Sequence, residues 1–257
     1  MLKIAGAIKK GFPRLVSNPA ARFANATLRG VGQVMLQNDP LTGFLFLLGI
    51  FVNSGVFGLY ALLGTIAATA ATGTGLFFGA PHDDVHRGLY GFNGTLTGLG
   101  LAVYLRHDTR LLVYVIVASI FVTIVMAAVQ DIFGAQGHTL TAPFVIATWI
   151  FIGALFTHAG LPVAPADLVP HLRSNALPFA AALSVADAAT GILNNLAQVM
   201  LQRNPWTGAI FLAALAVNSR LSSVAAAMGS SIGVVVALSL GAAPEPYGAG
   251  FTASMQH

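Results

Sequence analysis

Neutral carboxamides and hydroxyls are the groups in this chain whose types and spacing could do chemistry. Gln33 opens the stretch QVMLQNDPLTG, and Gln198 opens QVMLQRNPWTG 165 residues further on. With Asn93, Thr95, Thr97 and Thr141 they offer donors and acceptors that suit an uncharged, hydrogen-bonding solute. The Gly-rich stretch GLYGFNGTLTGLGLAVYL adds carbonyl oxygens wherever its backbone is broken. A glutamine in a membrane helix also glues helices together. Its recurrence at matched positions favours the lining of a solute path.

Other chemistries lack their residues. No acid pair, HExxH, GxSxG or phosphate-binding Gly-rich loop followed by Lys is present, so the chain does not read as an enzyme and implies no cofactor. The cluster His82, Asp83, Asp84 and His86 reads as a hydrophilic interhelical loop, not a metal site. Cysteine is absent, which removes disulfides and thiolate ligands. The acidic residues Asp39, Asp83, Asp84, Asp108, Asp131, Asp167 and Glu245 fall at loop edges, with Asp187 ambiguous, so no proton relay is legible inside the membrane.

The elements that must position these groups are membrane helices. With 56% hydrophobic and 8% charged residues, the chain cannot present a soluble surface. Spans of about 20 residues would give about seven to nine crossings. The 28 glycines suit close helix packing in lipid. Lys3, Lys9, Lys10 and Arg14 precede the first apolar segment and predict a cytoplasmic N-terminus; the net charge of +4 is too modest to suggest nucleic acid as a partner. No cleavable signal peptide is evident.

Residues 1–20 read as a basic lead-in, 21–160 as a first membrane repeat, 161–192 as a linker and amphipathic stretch, and 193–257 as a second, incomplete repeat. Apolar pieces fall at 23–37, 41–57, 58–79, 88–105, 111–130 and 141–160. The glycines at 88, 91, 94, 98 and 100 make the fourth a poor spanning helix, and it is expected to be re-entrant. Identities between the repeats run on through Pro40/Pro205, Thr42/Thr207, Gly43/Gly208 and Phe46/Phe211 to Val52-Asn53-Ser54 on Val217-Asn218-Ser219. Five spans and one re-entrant piece are an odd number of crossings, which turns the second copy upside down. The expected fold is an all-α polytopic bundle built as an inverted repeat, with a solute path between halves.

The stretches LRGVGQVMLQNDPLTG, GLYGFNGTLTG and LTAPFVIATW, in this order within a duplicated apolar chain, resemble the urea transporter family. The resemblance implies a homotrimer in the cell (inner) membrane, with one passive urea channel in each protomer. It implies that Gln33 with Val34, and Gln198 with Val199, line the two ends of a filter. Phe92 would be one wall of a flat slot, Leu96 a narrow midpoint and Thr141 a hydroxyl beside the centre. Urea is planar and must exchange water for protein acceptors, with a row of carbonyls between apolar walls. Leu140-Thr141-Ala142-Pro143 has a helix-start signature, with Thr141 as cap, and a helix dipole aimed at the pore centre would disfavour cations.

Two departures stand against that pattern. Leu36 occupies a position where the family often places an aromatic. The second repeat's counterpart of Gly91 would be Gln256, so the second GFNG segment and the spans after it are expected beyond the last residue, His257. On that expectation the 257 residues alone would not conduct. Alternatives are a channel for ammonia or short amides, and a non-conducting membrane scaffold.

Overall fold

A computed structural model of the protein describes residues 18–75, 82–133, 139–154 and 185–239. The basic lead-in through residue 17, the linker residues 161–184 and residues 240–257 lie outside the described residues. The described residues fold as ten helices: α1 (Pro19–Gln33), α2 (Pro40–Asn53), α3 (Gly55–Gly75), α4 (His82–His86), α5 (Gly91–Tyr104), α6 (Thr109–Phe133), α7 (Ala142–Ala154), α8 (Val185–Gln198), α9 (Pro205–Asn218) and α10 (Arg220–Ser239). This is the expected all-α bundle.

The helix starts are written locally. Asn18, Asp39 and Asn204 are N-caps, each followed by Pro at the first helical position, where the missing N–H leaves nothing unsatisfied. Asp39 accepts from the Thr42 amide at 2.8 Å, and Asn204 accepts from the Trp206 amide at 2.8 Å. The stop after α2 is also local. Ser54 is extended and ends the helix, while its Oγ accepts from the Phe57 amide at 3.4 Å to start α3. The boundary therefore falls at Ser54, not at 57 as the hydropathy suggested.

By length and composition Gly55–Thr72 and Thr109–Phe133 suffice to cross a membrane, while Pro40–Asn53, Ala142–Ala154, Pro205–Asn218 and Arg220–Val236 are apolar but shorter. In α6 the charges stand near the ends, at Arg110 and Asp131, and the exposed Val113, Val117, Ile120 and Ile124 form an outward apolar face. Such a face suits lipid.

The Gly-rich segment departs from expectation. Residues 91–104 form one uninterrupted helix of 14 residues, about 21 Å long, with Gly91 through Ala102 all buried. It does not turn back within itself. Its glycines are contact points: a Cβ at Gly94 would strike the Gly64 carbonyl, one at Gly98 the Tyr60 carbonyl, and one at Gly91 would lie 3.2 Å from the Gly30 Cα. Close backbone approach against α3 and α1 stabilises the helix enough to outweigh glycine's conformational entropy. An intact helix spends most of its carbonyls on its own amides, so this segment does not supply the expected broken row of acceptors.

The helices α1–α2–α3 pack on one another as α8–α9–α10 do, and the two sets meet mainly through α2 against α9. That contact is reciprocal at equivalent positions. Thr207 Oγ1 donates to the Gly49 carbonyl at 2.8 Å, and Thr42 Oγ1 donates to the Ala214 carbonyl at 3.4 Å. Phe46 and its equivalent Phe211 meet edge to face, centroids 5.0 Å apart. As α2 is followed forward its partners run backward along α9, so the helices are antiparallel and a local two-fold passes near the Phe pair, perpendicular to both. Around it lie the buried Val31, Leu47, Ile50, Leu99, Met200 and Leu215.

Candidate functional site

The repeated eleven residues build a helix end, a tight turn and a new helix start. Leu36 and Leu201 have φ of 58° and 57°, the left-handed region usually left to glycine. The turn is closed by the Leu36 amide on the Gln33 carbonyl and the Leu201 amide on the Gln198 carbonyl, both 2.9 Å. A left-handed leucine is strained by roughly 1–2 kcal/mol. Leu36 is 75% exposed, so its side chain contributes little packing in return. Leu36→Gly is therefore expected to raise thermal stability by about 1 kcal/mol, measured as the unfolding midpoint in detergent. A fall would mean that the side chain is held by a contact made outside the monomer.

Gln33, the last residue of α1, is 7% exposed, and its Nε2 donates to the Arg87 carbonyl at 3.1 Å. That carbonyl precedes Gly88, whose φ of 73° turns the chain into α5; a Cβ there would strike the Gly30 amide. One turn thus sets both the end of α1 and the start of α5. Phe92 and Leu96, a helical turn apart, are buried together with Tyr90 and Met126, with Val34 and Phe144 packed against them. The structure brings together Val34, Phe92 and Leu96, with Gln33 adjoining.

The remaining expected residues lie elsewhere. Gln198 is buried at the end of α8, and Val199 after it is 42% exposed. Val34 and Met35 pack against the same central core as Leu201, which joins the two turns. Thr141 is exposed and its carbonyl accepts from the Val145 amide at 3.1 Å, in the first turn of α7. Thr95 and Thr97 are fully buried and hydrogen-bonded within the protein: Thr95 to the Gly91 carbonyl and the Thr65 hydroxyl, Thr97 to the Asn93 carbonyl at 2.8 Å. They serve helix packing.

Asn93 was seen in the sequence only as one neutral polar group among several. It is 0% exposed; its Oδ1 accepts from the Phe144 amide at 3.2 Å and its Nδ2 donates to Met126 Sδ at 3.2 Å. The acceptor for a first-turn amide of α7 thus comes from α5, where a Thr141 cap was expected. A lone carboxamide inside an apolar helix was the signal available. Tyr90 O–H donates to Gln130 Oε1 at 2.8 Å, and burial, reinforced by Asp84 and Asp131, raises its pKa and keeps that proton in place. No group of three metal-binding side chains is present among the described residues.

A helical bundle with apolar outward faces and a buried, carboxamide-edged cluster between helix ends has the build of a polytopic membrane protein. A family model described as "Urea transporter" matches residues 24–253, and the chain belongs to that family. It is 30% identical to urea transporter 1 of Ovis aries over 244 residues, 93% of this chain and 62% of that protein. Urea transporter 1 of Rattus norvegicus is 30% identical over 230 residues, 86% of this chain and 57% of that protein. The chain thus spans about 57–62% of the length of these relatives.

Proposed function

We propose that the protein provides a passive, selective path for urea across the cell (inner) membrane. The observation that carries this is the gathering of Val34, Phe92 and Leu96 in one buried, mostly apolar cluster beside the neutral Gln33. Flat urea needs apolar walls for its faces and neutral acceptors for its amide hydrogens, and a fixed charge would hold it or select an ion. Gln33 with Val34, and Gln198 with Val199, form the two ends; Phe92 is a wall, Leu96 the midpoint, and Thr141 stands at the start of α7. The dipole of α7, whose first turn is held by Asn93, opposes cations there.

The path lies between two inverted repeats, and three protomers assemble with their N-termini in the cytoplasm. The antiparallel, reciprocal pairing of α2 with α9 supports the inversion: if those helices run across the bilayer, the two-fold between them lies in the membrane plane. The family resemblance supports the trimer, and the four early basic residues support the orientation.

In proteoliposomes holding a form that carries both complete repeats, urea is expected to run down its own gradient only, with competition by urea analogues and no response to an imposed proton or sodium gradient. Ion coupling requires an ionisable group inside the membrane; α3 carries no charged residue, and Asp39 is occupied capping α2. Concentrative uptake driven by either ion would refute a passive path. Passage of ammonia without analogue competition would reassign the solute.

A further inference from the structure

Four carboxamides near the α2–α9 contact are not explained by helix formation or by the cluster at Gln33. Gln37 Nε2 donates to the Met35 carbonyl at 2.9 Å, and Gln202 Nε2 donates to the Met200 carbonyl at 2.9 Å. A carbonyl only accepts, so each glutamine must turn its NH₂ inward and present Oε1 outward. What meets Oε1 comes from the other half. Asn218 Nδ2 donates to Gln37 Oε1 at 2.6 Å, and Asn53 Nδ2 donates to Gln202 Oε1 at 2.7 Å.

Asn53 and Asn218 are the last residues of α2 and α9. Met35 and Met200 lie one residue beyond Gln33-Val34 and Gln198-Val199. Each filter turn is therefore tied, through one glutamine side chain, to the helix end of the opposite half. Gln37 is 6% exposed and Gln202 0%, while Asn53 is half-buried and Asn218 exposed, so each tie closes a buried glutamine oxygen from the surface side. The tie also holds a turn that is strained at Leu36 or Leu201 and would otherwise relax.

We propose that Asn53 and Asn218 are positioning residues that set the filter turns crosswise: Asn218 fixes the turn after Gln33, and Asn53 fixes the turn after Gln198. Their place at a solute path rests on the proposed passage of urea, but the crosswise coupling does not. A bond serving only as glue would loosen its own surroundings when removed. A crosswise tie loosens a turn in the half that was not altered.

Peptide-resolved hydrogen exchange on the full chain in lipid nanodiscs distinguishes these. The amides of Met35, Leu36 and Gln37, and of Met200, Leu201 and Gln202, are bonded within the turns and report on them. Asn218→Ala should speed exchange in the first turn about fivefold or more and leave the second unchanged; Asn53→Ala should do the reverse. Exchanging the pair, Gln37→Asn with Asn218→Gln, should restore protection. Should either alanine variant fail to assemble, the Asn→Ser variant at the same position is measured instead. Faster exchange in the altered half, equal change in both turns, or no change in either overturns the proposal. Urea efflux relative to methylurea, measured in parallel on a form that carries both complete repeats, tests the passage itself: such a protein that passes no urea rejects the solute path while the exchange pattern still decides the coupling.

Discussion

Gly43→Val is expected to leave almost no folded, monodisperse protein, and Gly208→Val to do the same. A Cβ at Gly43 would run into the carbonyl of Leu28, with the Gly32 amide 3.0 Å away; a Cβ at Gly208 would run into the carbonyl of Leu193. These are equivalent collisions in the two repeats, and each is with backbone, which has no rotamer to yield. Relief requires α1 to part from α2, or α8 from α9. Parting would disturb the caps at Asp39 and Asn204 and the Thr42 and Thr207 bonds across the centre. The expected loss is about 3 kcal/mol or more, the upper range for forced overpacking, against a total stability of roughly 5–15 kcal/mol. Fluorescence-detected size exclusion and the thermal midpoint measure it. Gly229, in α10, has nothing within 4 Å of a built Cβ, and Gly229→Ala should be neutral or slightly stabilising. A Gly43→Val protein as stable as its parent would mean that the α1–α2 approach is wrong.

In a form that carries both complete repeats, Leu96→Trp is expected to lower urea permeability by about a hundredfold while leaving the fold assembled, equivalent to raising the barrier by about 2.7 kcal/mol. Leu96 is 3% exposed and shares a face of α5 with Phe92, against Met126 and Phe144. Met126 is unbranched and adaptable, so the cluster can take up an indole where a β-branched neighbour could not. That volume then stands in the space proposed for a flat solute. Stopped-flow efflux from liposomes, normalised to assembled protein, reads the effect. Leu99→Trp is the comparison: Leu99 is wholly buried in the central core, so overpacking there should reduce stability instead. A Leu96→Trp protein that assembles and conducts like its parent would show that Leu96 only packs.

The repeated eleven residues show how much a sequence can carry. Asp39-Pro40 and Asn204-Pro205 mark helix starts that the structure has at those residues, because capping is chemistry between near neighbours. The all-helical class followed in the same way from composition, and the order of three stretches singled out Gln33, Val34, Phe92 and Leu96, which the structure places near one another. The expected interruption of the Gly-rich stretch was not correct, since residues 91–104 form one helix. Whether a glycine interrupts a helix or lets another backbone approach depends on what stands opposite, and Gly64 and Tyr60 lie about 30 to 40 residues from their partners Gly94 and Gly98. For the same reason Thr95 and Thr97 looked available to a solute but are bonded within the protein.

By itself the sequence determined what depends on neighbours along the chain: the helices, their caps, the apolar surface, the duplication and the neutral character of the candidate site. Tertiary structure alone decided which group answers which. Asn93 holding the first turn of α7, and Gln37 meeting Asn218 while Gln202 meets Asn53, join residues that are up to 181 positions apart. A carboxamide offers the same donors and acceptor wherever it stands. For the two Gln–Asn pairs the antiparallel meeting of α2 with α9 selects the partner, because leaving a buried polar atom unpaired is costly and that contact sets which groups lie within reach.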